Sequence, residues 1–184
     1  MLHLTAPQML ALWKEQLLLQ PVRSNCYLER EDGIDLDALL TTHINHWYAH
    51  LLATAPAEWV PVEDVKDLVT LTPASGGLLS ARFPAQCVRP VEWRLSTWRC
   101  SVTTFLQPGT HEAQCQLNPW TRAGNEAPAA IDMHDHLLLT HDGAAALPAV
   151  AVARCVTRPA DGAFVFHHDA LAQLIATARR FFNE

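Results

Sequence analysis

VRPVEWRLSTWRCSVTTF, residues Val88–Phe105, decides the fold class. Val91, Trp93 and Leu95 alternate with Glu92, Arg94 and Ser96, the period-two pattern of a strand with one buried and one wet face. Trp98, Cys100 and Val102 extend the alternation past Thr97, so the stretch reads as a single long strand. β-branched and aromatic residues dominate it, as strands prefer. The alternation predicts Trp93 inside and Glu92 and Arg94 exposed. So aromatic a sheet face needs a cover, and helices lie on both sides in sequence.

Upstream, Thr5-Ala6-Pro7-Gln8 matches a capping box with Pro in the first turn. Met9, Leu10, Trp13, Leu17 and Leu18 make one apolar side of a helix to about Leu19, which Pro21 ends. Glu29–Asp32 is an acidic, exposed stretch. Asp35 is the N-cap of a longer helix, striped by Leu36, Leu40, Ile44, Trp47 and Leu51 and closed by Pro56. The two helices are expected to pair. Pro61–Leu71 reads as an extended entry with a short turn or helix around Glu63–Val65. Leu68–Leu71 and Leu78–Phe83 are strands joined by Ala74-Ser75-Gly76-Gly77, which predicts a hairpin.

Downstream, Gln107–Thr110 is a turn, His111–Leu117 a short helical piece and Asn118–Pro128 a loop. Ala129–Thr140 reads as one strand ending at the Asp142-Gly143 turn. Val150–Val156 and Ala163–Phe166 are further strands. Asp169 caps a last amphipathic helix with Leu171, Leu174, Ile175, Ala178 and Phe182 on one face. Arg179 and Arg180 complement its C-terminal dipole. The expected class is α+β: an N-terminal helical pair and a C-terminal helix packed on a small, mainly antiparallel sheet of about five strands. The expected organisation is a single domain over 1–184. It divides into a helical part (1–56), a strand-rich part (62–166) and a C-terminal helix (167–184).

Composition sets the outer bounds. With 184 residues, 49% of them hydrophobic, the chain is long and apolar enough to bury a core. A net charge of −6 argues against nucleic-acid binding driven by bulk charge, and no sequence-specific nucleic-acid partner is expected. The five cysteines are odd in number, widely spaced and without a C-x-x-C pair, which predicts reduced, mostly buried thiols in the cytoplasm. Neither a signal peptide nor a membrane-spanning run is expected.

Two histidine clusters are the candidate chemistry. His43, His46 and His50, spaced i, i+3, i+7, can line one side of a helix as metal ligands. The bland alternative is three histidines at the margin of the buried stripe. Asp132, His134 and His136 share one face if Ala129–Thr140 is a strand, and H-x-H on a strand can chelate one ion. Here the alternative is the wet face of an amphipathic strand. Neither set is favoured as a metal site, and no cofactor is expected. His167-His168 reads as part of a helix start. No cysteine sits in a recognised catalytic context, and no G-x-S-x-G, phosphate loop or G-x-G-x-x-G is present.

Loops that carry Trp and Arg on an acidic protein are candidate contact points, which singles out Asn118, Trp120 and Arg122. The alternative is a loop folded back on its own domain, with Trp120 filling a gap and Arg122 paired to a carboxylate.

Over Val65–Pro128 a further pattern appears: Val65 to Leu71, then Trp93 and Trp98, Pro108, Gln114 or Gln116, Asn118-Pro119-Trp120-Thr121-Arg122, and Pro128. This third of the chain resembles small virion structural proteins of tailed phages and prophages of gut Bacteroidales, which carry an Asn-x-x-Thr-Arg-Gly type loop. In this sequence Ala123 stands between Arg122 and Gly124. The resemblance implies a non-enzymatic head–tail adaptor or connector, a ring subunit that contacts copies of itself and the portal or other virion proteins. Such a protein passes from the host cytoplasm into the virion. The alternatives are a small metal-dependent hydrolase using His134 and His136 with His43 or His50, and a cytosolic binding module.

Overall fold

A computed structural model describes residues 1–16, 35–142 and 146–181, the last four of these by backbone alone. Expectations placed on Leu17–Leu19, Pro21, Cys26, Glu29–Asp32, Gly143, Phe182 and the side chains of Ala178, Arg179 and Arg180 lie outside the described residues.

The elements run β1 (Leu2–Leu4), α1 (Ala6–Gln16), α2 (Leu36–Thr54), β2 (Val62–Asp64), β3 (Thr70–Pro73), β4 (Leu79–Arg82) and β5 (Cys87–Leu95). They continue with α3 (His111–Leu117), β6 (Ala130–Asp132), β7 (His136–Leu139), β8 (Val150–Thr157), β9 (Phe164–Phe166) and α4 (Ala170–Phe181). The class is α+β, with N-terminal and C-terminal helices and antiparallel sheets. The strands distribute over three sheets, ordered β1-β9, β2-β8-β5 and β3-β4-β7-β6, where one sheet of about five was expected.

The chain forms two compact units, Met1–Pro61 with Arg158–Glu184, and Val62–Thr157. In the first, the capping box at Thr5 forms on one side, with the Thr5 amide donating to Gln8 Oε1 at 2.9 Å. Asp35 caps α2 as expected, its Oδ1 accepting from the amides of Asp37 and Ala38 at 3.0 and 3.1 Å. The α2 stripe buries Leu40, Ile44, Trp47 and Leu51, and Met9 and Trp13 of α1 are buried with them. Lys14 and Asp37 form an ion pair at 2.6 Å between the two helices.

The β1–β9 ribbon, in which β1 was not anticipated, brings Phe164 and Phe166 to this core. Trp47 meets Phe166 edge-on at 5.4 Å and Tyr48 meets Phe164 at 5.0 Å. The Tyr48 hydroxyl donates to the Val165 carbonyl at 3.1 Å and accepts from its amide at 3.0 Å. Burial pushes this phenol above its ordinary range.

In the second unit, two sheets share one core. Leu79 and Ala81 of β4, Leu137 and Leu139 of β7 and Ala130 of β6 cluster with Trp93, Leu95, Ala153 and Cys155. Trp93 is fully buried, as the alternation requires. It pairs with Ala153 of β8, and a small residue opposite a large one leaves room for the indole. Phe83 meets its ring edge-on at 5.8 Å. Its Nε1 has no hydrogen-bond partner among the described residues, so packing holds the ring.

Val88–Phe105 departs from a single strand. β5 ends at Leu95, the chain turns through Ser96–Thr97, and Val102 returns to exchange both backbone hydrogen bonds with Trp93 at 2.8 and 2.9 Å. Cys100 therefore lies outside the alternation and is exposed. Trp98 stays buried because its Nε1 donates to the Thr140 carbonyl at 3.0 Å. Glu92 and Arg94 are half-buried where exposure was expected. β5 lies against β8, where Arg154 reaches Glu92 at 3.4 Å and Val152 stands opposite Arg94.

The hairpin across Gly76-Gly77 forms as the sequence predicts, joining β3 to β4. Ala129–Thr140 is itself a hairpin, β6 and β7, and not one strand.

Trp93→Ala is expected to cost about 3–5 kcal/mol in denaturant unfolding, and Trp93→Phe distinctly less, because the indole N–H contributes no bond. A loss below about 1 kcal/mol for the alanine variant contradicts this core.

Candidate interaction surface

The hairpin settles the second histidine cluster. His134 sits at its tip with φ +75°, the left-handed conformation, and its amide donates to Asp132 Oδ1 at 2.9 Å. Met133 N–H closes the turn on the His136 carbonyl at 2.9 Å. A turn at 133–135 removes the strand geometry that aligned Asp132, His134 and His136 on one face, so that expectation is corrected. His136 Nδ1 instead lies 2.6 Å from Asp135 Oδ1. That hydrogen bond holds the Asp135 carboxyl below its ordinary range.

The first cluster stays on α2 as its sequence spacing placed it. His46 and His50 are exposed and His43 is half-buried beside the stripe. His50 Nδ1 lies 3.4 Å from the Thr54 hydroxyl. Among the described residues, none of these five histidines joins two other ligand-type side chains closely enough to share an ion.

The thiols differ from the expected burial. Cys155 is buried, Cys87 and Cys115 are half-buried and Cys100 is exposed, all four free. A hydrogen bond with the Cys87 thiol, with burial second, pushes the Cys155 thiol up, which keeps it protonated and unreactive.

The loop after α3 is the best-built surface feature. Asn118 turns the chain: its Oδ1 accepts from the Trp120 amide at 3.0 Å, and its carbonyl accepts from Thr121 and Arg122 at 3.2 and 3.0 Å. The Thr121 hydroxyl donates to the Cys115 carbonyl at 2.7 Å. Gln116 Oε1 accepts from the Ala123 amide at 2.7 Å. The Thr121 bond takes up one of the free carbonyls at the end of α3, a common need at helix C-termini.

Arg122 fastens the loop to the β3–β4 turn. Its two terminal nitrogens donate to the carbonyls of Gly76 and Gly77 at 2.6 and 3.1 Å, and its Nε donates to the Gln116 carbonyl at 3.1 Å. Gly76 and Gly77 have φ +70° and +77°, and a Cβ on Gly77 would stand 3.3 Å from the guanidinium. On the far side, the Asn125 amide donates to Asp142 Oδ2 at 2.9 Å, and a Cβ on Gly124 would come within 3.0 Å of that carboxylate.

Trp120 projects from this brace. It is 93% exposed, with Leu117 on the preceding turn 51% exposed. Neither sequence expectation for the loop holds whole. Trp120 fills no gap, and Arg122 is bound within its own unit, to carbonyls and not to a carboxylate. The Gly-Gly turn in sequence could have hinted at the carbonyl acceptors, but its pairing with Arg122 is long-range.

No protein-family model, curated protein or solved structure matches the chain.

Arg122→Ala should lower stability by about 1 kcal/mol, seen as a lower denaturation midpoint, since it removes three hydrogen bonds that join the loop to the β3–β4 turn and to α3. Trp120→Ala should stay within about 0.5 kcal/mol of wild type. Equal effects from the two substitutions contradict the division of labour between brace and projecting ring.

Proposed function

We propose that this chain is a non-enzymatic assembly protein, of the head–tail adaptor or connector kind found in phage and prophage virions. It contacts further copies of itself and the portal or another virion protein through the loop 118–124. The observation that carries the reading is Trp120, a nearly fully exposed indole on a loop whose backbone is already fixed. An aromatic of this size buries about 150–250 Å² on contact, and a fixed loop loses little further entropy when it docks. Arg122 acts as the brace that presents the ring, so the contact rests on Trp120 with Leu117 beside it. The resemblance over Val65–Pro128 supplies the kind of partner. Among the described residues no helix is long and apolar enough to cross a membrane.

The test is sedimentation velocity across a range of concentrations, alone and with a portal ring. Wild-type protein is expected to form a closed oligomer or to bind the ring. Trp120→Ala should sediment as a folded monomer that does neither, with an unchanged thermal midpoint. Identical sedimentation of the two proteins in both settings refutes the proposal. Binding to some other protein, lost on Trp120→Ala without self-association, shifts the reading to the binding module.

A further inference from the structure

His167, His168 and Asp169 stand immediately before α4, and their ligand-type atoms all lie within 4.8 Å of one another. His167 Nδ1 is 3.1 Å from Asp169 Oδ2, and His168 Nε2 is 2.9 Å from Asp169 Oδ1. The one carboxylate thus faces both imidazoles with different oxygens. The rings themselves are 4.1 Å apart and tilted by 47°.

The backbone beneath them is fixed. The His167 amide donates to the Trp59 carbonyl at 2.8 Å, and the His167 and His168 carbonyls each accept from the first turn of α4 at 3.0 Å. The Asp169 amide also points at His167 Nδ1, at 3.4 Å, so backbone and side chain of one residue both meet that ring.

From this we infer that His167, His168 and Asp169 form a binding site for a divalent transition ion of the zinc type, pinning the start of α4. Imidazole with carboxylate suits zinc and its neighbours, whereas calcium and magnesium take oxygen ligands. Zinc with nitrogen and oxygen donors at about 2.0–2.2 Å gives a tetrahedron whose edges are about 3.3 Å. The two measured His–Asp separations involve different carboxylate oxygens, so Asp169 would take the ion with both oxygens, and small rotations bring the rest, all within 4.8 Å, to that spacing.

All three side chains are partly or largely exposed, 33%, 69% and 52%, so water completes the coordination. The helix N-terminus opposes a cation, and the Asp169 charge offsets it. The site departs from the expectation of no cofactor. It involves none of the histidines singled out as ligands from spacing, because the usable geometry is a local turn and not a helix face or strand.

The experiment is calorimetric titration of the untagged full chain with zinc chloride, alongside visible spectra with cobalt(II). Wild-type protein should bind one equivalent, give the absorption of a low-coordinate cobalt–imidazole site, and melt at a higher temperature with zinc. His168→Ala and Asp169→Asn, both at exposed side chains, should each weaken binding by about tenfold or more while the metal-free proteins melt as wild type. His46→Ala, exposed on α2, should bind as wild type. The inference is overturned if no stoichiometric binding occurs at about 100 µM zinc. It is equally overturned if binding survives both substitutions at the site, or is lost on His46→Ala instead.

Discussion

The backbone exchange between Trp93 and Val102 is the constraint on which the strand-rich unit depends. It forces the chain to reverse after Leu95, and that reversal brings Trp98 over the end of β7. The same residue pairs on its other side with Ala153, so Trp93 is held between two neighbours while its ring fills the space between two sheets. Remove the large ring and both sheets lose the body they close upon. The hydrophobic contribution here is large because the side chain is entirely out of water, and area removed from water is what the effect scales with.

A different economy governs the loop after α3. Its side chains spend their hydrogen bonds on backbone: Asn118, Thr121, Gln116 and Arg122 all serve to hold the main chain, leaving one aromatic with nothing of its own unit to cover it. Side-chain to backbone bonding of this kind is usual in turns. What sets this loop apart is that the residue with the largest apolar area is the one left out.

Helix reading from sequence worked where a local signal existed. Asp35 and the four-, four-, three-, four-residue spacing of Leu36 through Leu51 define α2 without reference to anything distant. The β3–β4 hairpin was likewise legible, since Gly76 and Gly77 are residues for which positive φ costs little. Long-range events were not legible. β1 is three residues long and exists because β9 offers it a partner more than a hundred and fifty residues away in the chain. The turn at Met133–Asp135 contains no glycine, and His134 takes the left-handed conformation because Asp132 supports it. Periodicity therefore read straight through a reversal. At the loop, Trp120 and Arg122 stand two residues apart in sequence, but one is exposed and the other bound, for a reason that only the Gly76 and Gly77 carbonyls supply.

The first unit is assembled from both ends of the described chain, with residues 62–157 interposed as a unit of their own. Val62 and Val156 face each other across the β2–β8 ladder, so the interposed segment leaves close to where it enters. On the ribosome this imposes an order. Residues 62–157 hold all of their own pairing partners and can close as soon as β8 has emerged. Trp47 and Tyr48 emerge earlier yet must wait for Phe164 and Phe166, synthesised more than a hundred residues later. At ordinary elongation rates that delay is on the order of ten seconds. During it, Trp47 and Tyr48 lack the aromatic partners that β9 supplies and have only α1 to pack against.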